Sequence, residues 1–143
     1  MVVMAVMLAA MIPVGGALQS TGAADLIARS ALTLAGGGAW LLIAGTLLIA
    51  IVVTPFLNNV STAIILAPIA ASVALQADMP PEPFLMAVAI GASTDFLTPF
   101  GYHNNSIVMG PGGYRFIDYP RLGAPLTLIV LVLAPPLLIV FWL

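Results

Sequence analysis

Residues 39–77 read AWLLIAGTLLIAIVVTPFLNNVSTAIILAPIAASVALQA, two long apolar arms separated by two adjacent asparagines. No charged residue occurs between positions 30 and 77. A helix needs about 20 apolar residues to cross the roughly 30 Å hydrocarbon core of a bilayer, and each arm is close to that length. Because only Asn58 and Asn59 join the arms, we expect a tight helical hairpin. Hydropathy leaves open whether the hairpin crosses the membrane or dips in and returns.

The composition of the whole chain agrees with a lipid environment. Of 143 residues, 62% are hydrophobic and 6% are charged, which is more apolar surface than a soluble domain of this size buries. The apolar runs are continuous instead of alternating, so the prediction is an all-α, polytopic membrane protein. Three basic residues provide no nucleic-acid surface, and a chain without cysteine has neither a disulfide nor a thiolate nucleophile.

The apolar runs and their breaks predict a single transmembrane domain over residues 1–143. Its segments are a first span at 1–18, an interfacial helix at 22–36, the helical hairpin at 39–77, a broken span at 84–109 and a terminal span at 122–143. In the broken span, we expect a helix from Phe84 to about Leu97. Such a helix covers only about 21 Å, which places its break at membrane depth. Irregular backbone is tolerated there only when protein or a water-filled cavity surrounds it.

Two polar clusters interrupt the apolar sequence and are the candidate functional regions. The tip cluster, residues 58–62, reads NNVST, and the break cluster, residues 93–105, reads STDFLTPFGYHNN. Secondary transporters bind substrate and ions where helices are interrupted, because freed N–H groups attract anions and freed carbonyls hold cations. Neither cluster contains a catalytic triad, a carboxylate pair or a metal-binding motif, so we expect no enzyme and no resident metal.

Each cluster also has a purely structural interpretation. Asn58-Asn59 is also typical of a polar turn in headgroup water. Residues 98–105 are also typical of a loop between two interfacial helices. Asp95, an acid in an apolar helix, marks either an ion pathway or a side chain near the interface that bonds to Ser93 or Thr98. His103 is either a proton-coupling group or a structural hydrogen-bonding residue.

Four sequence motifs, in this order, resemble the second half of permeases of the divalent anion:sodium symporter family, the citrate-transporter-like members of the ion transporter superfamily. They are IPVGGAL at 12–18 with TGAA at 21–24, NNV at 58–60 with LAPIA at 66–70, PFGY at 99–102 with Asn105, and GPGGYRF at 110–116 with Asp118-Tyr119. The resemblance covers essentially the whole chain. The chain departs from the family pattern at Asp95, where small apolar residues are usual, and at His103-Asn104, where a Gln-Thr pair is commoner.

The resemblance implies that the chain is the second inverted repeat of an elevator-type transporter, with a re-entrant helical hairpin and a discontinuous helix. It also implies roles for individual side chains. Na⁺ ligands are expected at Asn59, Thr98 and Asn105. Ion coupling at Asp95 and His103 is expected from the chemistry of these two side chains and not from the resemblance, because both positions depart from the family pattern. The full set expected to bind substrate or cation is Asn58, Asn59, Val60, Ser61, Thr62, Thr98, Pro99, Gly101, Asn104 and Asn105.

The expected function is secondary active transport of a small anion, either a di- or tricarboxylate or a sulfate-like ion, by symport with Na⁺ or H⁺. The coupling ion is the only cofactor expected. We expect the chain to work as part of a complete permease in the plasma or inner membrane, with an N-terminal repeat absent from this sequence and a second copy in a homodimer. Nucleic acid is not an expected partner. The rival hypotheses are a membrane assembly subunit that does not transport and a channel-like subunit.

Overall fold

The computed structural model describes residues 1–99 and 102–143, seven of them by their backbone alone: Met4, Met7, Leu8, Met11, Leu18, Gln19 and His103. Within these ranges the chain forms helices and no strand, which confirms the predicted all-α class. The helices are α1 (Val2–Ser20), α2 (Ala23–Ala35), α3 (Ala39–Leu57), α4 (Asn59–Gln76), α5 (Glu82–Ser93), α6 (His103–Met109) and α7 (Asp118–Trp142).

Three of the described helices, α3, α4 and α7, are long and apolar enough to cross a membrane. Their mean hydropathies are 2.4, 1.5 and 2.5, which exclude an aqueous setting for most of their length. The chain is therefore an integral, polytopic membrane protein. Residues 2–18 of the predicted first span lie in α1, and the assignment of 1–18 as a span stays a prediction. Whether α3 and α4 cross or re-enter also stays a prediction.

The helical hairpin consists of α3 and α4, and α5 returns along both of its arms. On the outside, α1 and α2 pack against α4, while α7 packs against α3 and α5. The shared core is apolar and includes the fully buried side chains of Ile43, Leu47 and Phe84. Gly91 lets α5 approach α3 closely, because a Cβ at this position would lie 2.5 Å from the Cβ of Ala50. The hairpin and α5 thus form one packed unit.

The predicted end of the helix near Leu97 is wrong, since α5 ends at Ser93. Thr94 leaves helical geometry at φ −95° and ψ 61°, and its hydroxyl donates to the Ile90 carbonyl at 2.6 Å. Serine, threonine and aspartate side chains compete with the backbone for hydrogen bonds and so disfavour helix interiors. Ser93, Thr94 and Asp95 stand in a row, and the chain therefore leaves the helix one turn earlier than hydropathy indicates.

Candidate functional site

The tip of the hairpin is a single residue, Asn58, between α3 and α4. Its φ of 73° and ψ of 163° fall in a region that glycine alone adopts freely. The backbone N–H of Asn58 donates to the Thr54 carbonyl at 2.9 Å, and its side-chain Oδ1 accepts from the Ser61 N–H at 3.0 Å. Asn58 therefore ends α3 and caps α4, and these two bonds hold it in a strained conformation.

This dual role predicts the effect of two substitutions at Asn58. Asn58→Ala removes the cap, and we expect a loss of about 1 kcal/mol in the free energy of unfolding. Asn58→Gly also removes the cap but adopts the backbone angles without strain, so its loss is expected to be a few tenths of a kcal/mol. Thermal unfolding of the detergent-solubilised chain measures both. Equal losses in the two variants would contradict the strained tip.

At the start of α4, two oxygen atoms are buried without a hydrogen-bond partner among the described residues. They are Oδ1 of Asn59 and Oγ1 of Thr62. Thr62 is fully buried and Ser61 is 2% exposed, whereas Val60 is exposed. Because Asn59 begins α4, the positive end of that helix dipole lies at the tip, with first-turn N–H groups that have no intrahelical acceptor. The tip therefore offers donors to an anion and side-chain oxygens to a cation.

At the break after α5, the side chain of Asn105 holds the irregular backbone together. Its Nδ2 donates to the carbonyls of Asp95 and Thr98, at 3.1 Å and 3.3 Å. The Ser106 hydroxyl donates to the Pro99 carbonyl, and the Thr98 hydroxyl donates to Oδ1 of Asp95 at 3.3 Å. Carbonyls freed by the end of the helix are thus bonded by side chains from α6, as buried backbone requires.

Asp95 is the buried charged group of the break, with 3% of its surface exposed. Thr98 bonds one of its carboxylate oxygens, but the other, Oδ2, is buried without a partner. No ion pair to Asp95 occurs among the described residues. The neighbouring C-terminal end of α5 carries the negative end of its helix dipole. A buried acid with a bare oxygen beside a negative helix end has the chemistry that would favour a cation.

The two clusters lie toward the same end of the hairpin. Helix α5 meets α3 at Leu47 and Ala50, and the chain continues from Gly91 toward the tip. None of the described hydrogen bonds joins one cluster to the other. Asn104 is exposed and lines the cleft between α6 and α7, and no described hydrogen bond of the break involves its side chain. Gly101 lies outside the described residues, as does the side chain of His103.

Tyr119, at the start of α7, belongs to the break, and the sequence did not indicate it. Its hydroxyl donates to the Asn105 carbonyl at 2.7 Å. Beside this bond is a cleft of about 320 Å³ lined by residues of α6, the following loop and α7. The GPGGYRF motif and its aromatic residues predicted only a loop at the membrane surface. Asp118-Tyr119 was singled out only as part of the motif that resembles the symporter family, and neither periodicity nor spacing links position 119 to position 105.

Comparisons with known proteins identify related transporters. The family model described as "Citrate transporter", CitMHS, matches residues 1–143. The chain is 41% identical over 135 residues to an uncharacterized transporter of Synechocystis. The match covers 93% of this chain and 22% of that protein. It is 32% identical over 130 residues to sodium/sulfate cotransporter 1 of Chlamydomonas reinhardtii, covering 89% of this chain and 15% of that protein.

A third relative is the sodium-dependent high-affinity dicarboxylate transporter 3 of Caenorhabditis elegans, which is 32% identical over 116 residues. The match covers 81% of this chain and 20% of that protein. The chain thus spans about a fifth of the length of these relatives. These relatives are named as transporters, and the resemblance stated from the motifs is confirmed. The chain belongs to the CitMHS citrate transporter family.

Proposed function

We propose that this chain forms the substrate- and cation-binding half of a secondary active transporter, which carries a small anion together with Na⁺ or H⁺. The substrate class is a di- or tricarboxylate or a sulfate-like anion. In this proposal α3 and α4 are a re-entrant hairpin, and residues 84–109 are a discontinuous helix. The complete permease adds an N-terminal repeat, moves its binding site as an elevator, and works as a homodimer in the plasma or inner membrane.

The observation that carries this proposal is the set of buried oxygens without partners in the two clusters. Among the described residues, three such atoms lie at the two breaks in the helices: Oδ1 of Asn59, Oγ1 of Thr62 and Oδ2 of Asp95. A fourth, Oγ1 of Thr127, lies within α7, outside both clusters. Leaving a buried polar atom unpaired costs about 1–3 kcal/mol, and more for a charged group. Monovalent and divalent hard cations take oxygen ligands, which would satisfy these atoms. Bare oxygens at two helix ends are therefore best explained as ligands for a coupling ion.

In this proposal the break cluster binds the cation and the tip cluster binds the anion. The break supplies Asp95, freed carbonyls and the negative end of α5, which together favour a cation. The tip supplies the positive end of α4 and first-turn N–H groups, which favour an anion. Because the tip carries no basic side chain, bound cations provide much of the charge that neutralises the anion. This dependence makes the anion bind only with its cation, which is the basis of symport.

The relatives narrow the substrate class. Their printed names include citrate, sulfate and dicarboxylate. These anions share two or more anionic oxygens, which N–H groups and amide donors at a hairpin tip can bind. Two of the named relatives are sodium-dependent or sodium-coupled by name, which favours Na⁺ over H⁺ as the coupling ion.

Uptake into proteoliposomes tests the proposal directly. Labelled succinate, citrate and sulfate are offered to vesicles that carry the chain alone, and to vesicles that carry it with the product encoded upstream of Met1. Each is measured with and without an inward Na⁺ gradient. Gradient-dependent uptake that needs both parts is the expected result. No uptake in either case, with the protein folded and inserted, would favour the assembly-subunit hypothesis instead.

Substitutions in the two clusters are expected to weaken transport. Asn59→Ala removes a proposed cation ligand, and Asn105→Ala removes the side chain that holds the break. Hydrogen bonds and contacts to charged groups contribute about 1.5–3 kcal/mol, so we expect at least a tenfold rise in the Na⁺ concentration for half-maximal uptake. Gln76→Ala is the matched control, since it removes an exposed amide at the other end of α4. Uptake unchanged by Asn59→Ala would exclude the tip as a binding site.

A further inference from the structure

We infer that Tyr119 is a positioning residue, whose hydroxyl holds the break cluster in the geometry that binds the coupling cation. The inference rests on the proposed function and adds to it a residue outside both clusters. Its basis is the bond from the Tyr119 hydroxyl to the Asn105 carbonyl, 2.7 Å long, which spans 14 residues of sequence. The same asparagine is the one whose side chain binds the carbonyls of Asp95 and Thr98.

The position of α6 depends on side-chain hydrogen bonds more than on packing. The helix pairs that pack against one another in the described part of the chain do not include α6. α6 has only seven residues, and an isolated helix of that length is not stable in the absence of other contacts. A cleft of about 320 Å³ separates α6 from α7, and the Tyr119 hydroxyl bridges it. The bridge is therefore a main attachment of α6 to the long terminal helix.

The residues around Tyr119 fix its position on the α7 side of the cleft. Oδ2 of Asp118 accepts from the Arg115 N–H at 2.8 Å, which sets the turn that begins α7. The ring of Tyr114 packs edge-on against the Tyr119 ring, with centroids 6.4 Å apart. Gly123 lets α7 approach the break, because a Cβ there would lie 2.5 Å from the Phe96 carbonyl carbon. The hydroxyl is thus presented by a turn and a helix that are themselves held in place.

From these contacts the role of Tyr119 follows in two steps. Its hydroxyl fixes the backbone of Asn105, and the Asn105 side chain then fixes the two carbonyls next to Asp95. Removing the hydroxyl leaves every proposed cation ligand present but lets Asn105 move. We therefore expect the affinity for the cation to fall while the rate at saturating cation is kept. A hydrogen bond of ordinary strength predicts a change of about two- to tenfold.

The test compares Tyr119→Phe with Tyr114→Phe in lipid vesicles. Tyr119→Phe removes the hydroxyl and keeps the ring contact. Tyr114→Phe is the matched control, because its ring is half exposed and no described hydrogen bond involves its hydroxyl. The chain contains no cysteine, so a spin label at Ile107→Cys, an exposed position on α6, reports the motion of this helix without transport. Amide hydrogen exchange over residues 103–109 provides a second measure.

We expect Tyr119→Phe to increase label mobility and amide exchange in α6, and Tyr114→Phe to leave both at the wild-type level. In the uptake assay we expect a two- to tenfold higher Na⁺ concentration for half-maximal rate in Tyr119→Phe, with the maximal rate unchanged. Unaltered mobility and exchange, or equal changes in both variants, would overturn the attachment of α6 to α7 by the Tyr119 hydroxyl. Looser α6 with unaltered Na⁺ dependence would overturn the positioning role. If the wild-type chain, reconstituted together with the N-terminal repeat, takes up no anion, the proposed function is refuted, and the mobility measurement still decides whether Tyr119 attaches α6 to α7.

Discussion

Asp95→Asn is expected to weaken binding of the coupling cation by more than a hundredfold. The substitution keeps the size of the side chain and the oxygen that accepts from Thr98, and it removes the negative charge. Removing one partner of a buried charge pair costs about 3–5 kcal/mol, which corresponds to this change in affinity. Without a cation, the free energy of unfolding is expected to stay the same or to rise, because the wild type then buries an unpaired carboxylate oxygen.

Ligand-dependent thermal unfolding measures this effect without transport. The chain is heated in detergent with increasing NaCl, and with choline chloride at the same ionic strength. The wild type is expected to gain stability with Na⁺, since a ligand that binds only the folded state stabilises it. Asp95→Asn should lose this gain. Asp78→Asn is the matched control, because it removes an exposed acid at a positive φ that asparagine tolerates. A full Na⁺ response in Asp95→Asn would exclude Asp95 as the cation site.

The hairpin could be predicted because its evidence is local. Two uncharged arms of about 20 residues leave few alternatives to helices, and two asparagines are too few to form anything but a tight connection. The structure agrees and shortens the connection to one residue, Asn58. That reduction depends on backbone angles close to those of glycine, which the residue types do not encode. Asn58 and Asn59 look equivalent in sequence, yet one caps α4 and the other carries a bare buried oxygen.

The sequence predicted where the break lies but not the hydrogen bonds that hold its backbone. Proline, glycine and polar residues indicate that a helix stops, and they do not say where its free carbonyls find donors. Those donors come from Asn105, which lies ten residues after Asp95. Its neighbour Asn104 is also polar, but it lies on the exposed side of α6. Which of two adjacent asparagines turns inward depends on the rotation of α6, and this is fixed by contacts distant in sequence, such as Tyr119.

The close packing of α5 on α3 was also beyond prediction from sequence. Glycine in an apolar helix is common in membrane proteins, and small residues there often mark a helix interface. The chain has many glycines within or next to helices, and the sequence does not distinguish those at an interface from those facing open space. Gly91 lies at such an interface. At Gly45, by contrast, a Cβ would have no described atom within 4 Å apart from its chain neighbours and the nearby backbone of its own helix.

This difference predicts opposite effects for the same substitution at the two positions. Gly91→Ala would place a methyl group 2.5 Å from the Cβ of Ala50 and 2.9 Å from the Leu47 carbonyl oxygen. Carbon atoms in contact lie about 3.5–4.0 Å apart, so α5 must move away from α3 by about 1 Å. Overpacking of this kind costs about 1–3 kcal/mol, and here one of the two groups in the way is backbone. We expect Gly91→Ala to lower the free energy of unfolding by about 3 kcal/mol.

Gly45→Ala is the matched control on the facing helix. It adds the same methyl group to open space and removes the entropic cost of a helical glycine, so we expect the stability to rise by up to about 1 kcal/mol. Unfolding in detergent, by heat or by added denaturing detergent, compares the two variants with the wild type. Similar stabilities for both would show that α5 does not pack on α3 at Gly91. If α5 does shift, Asp95 moves with it four residues later, and Gly91→Ala should then also weaken the Na⁺ response that Asp95 is expected to carry.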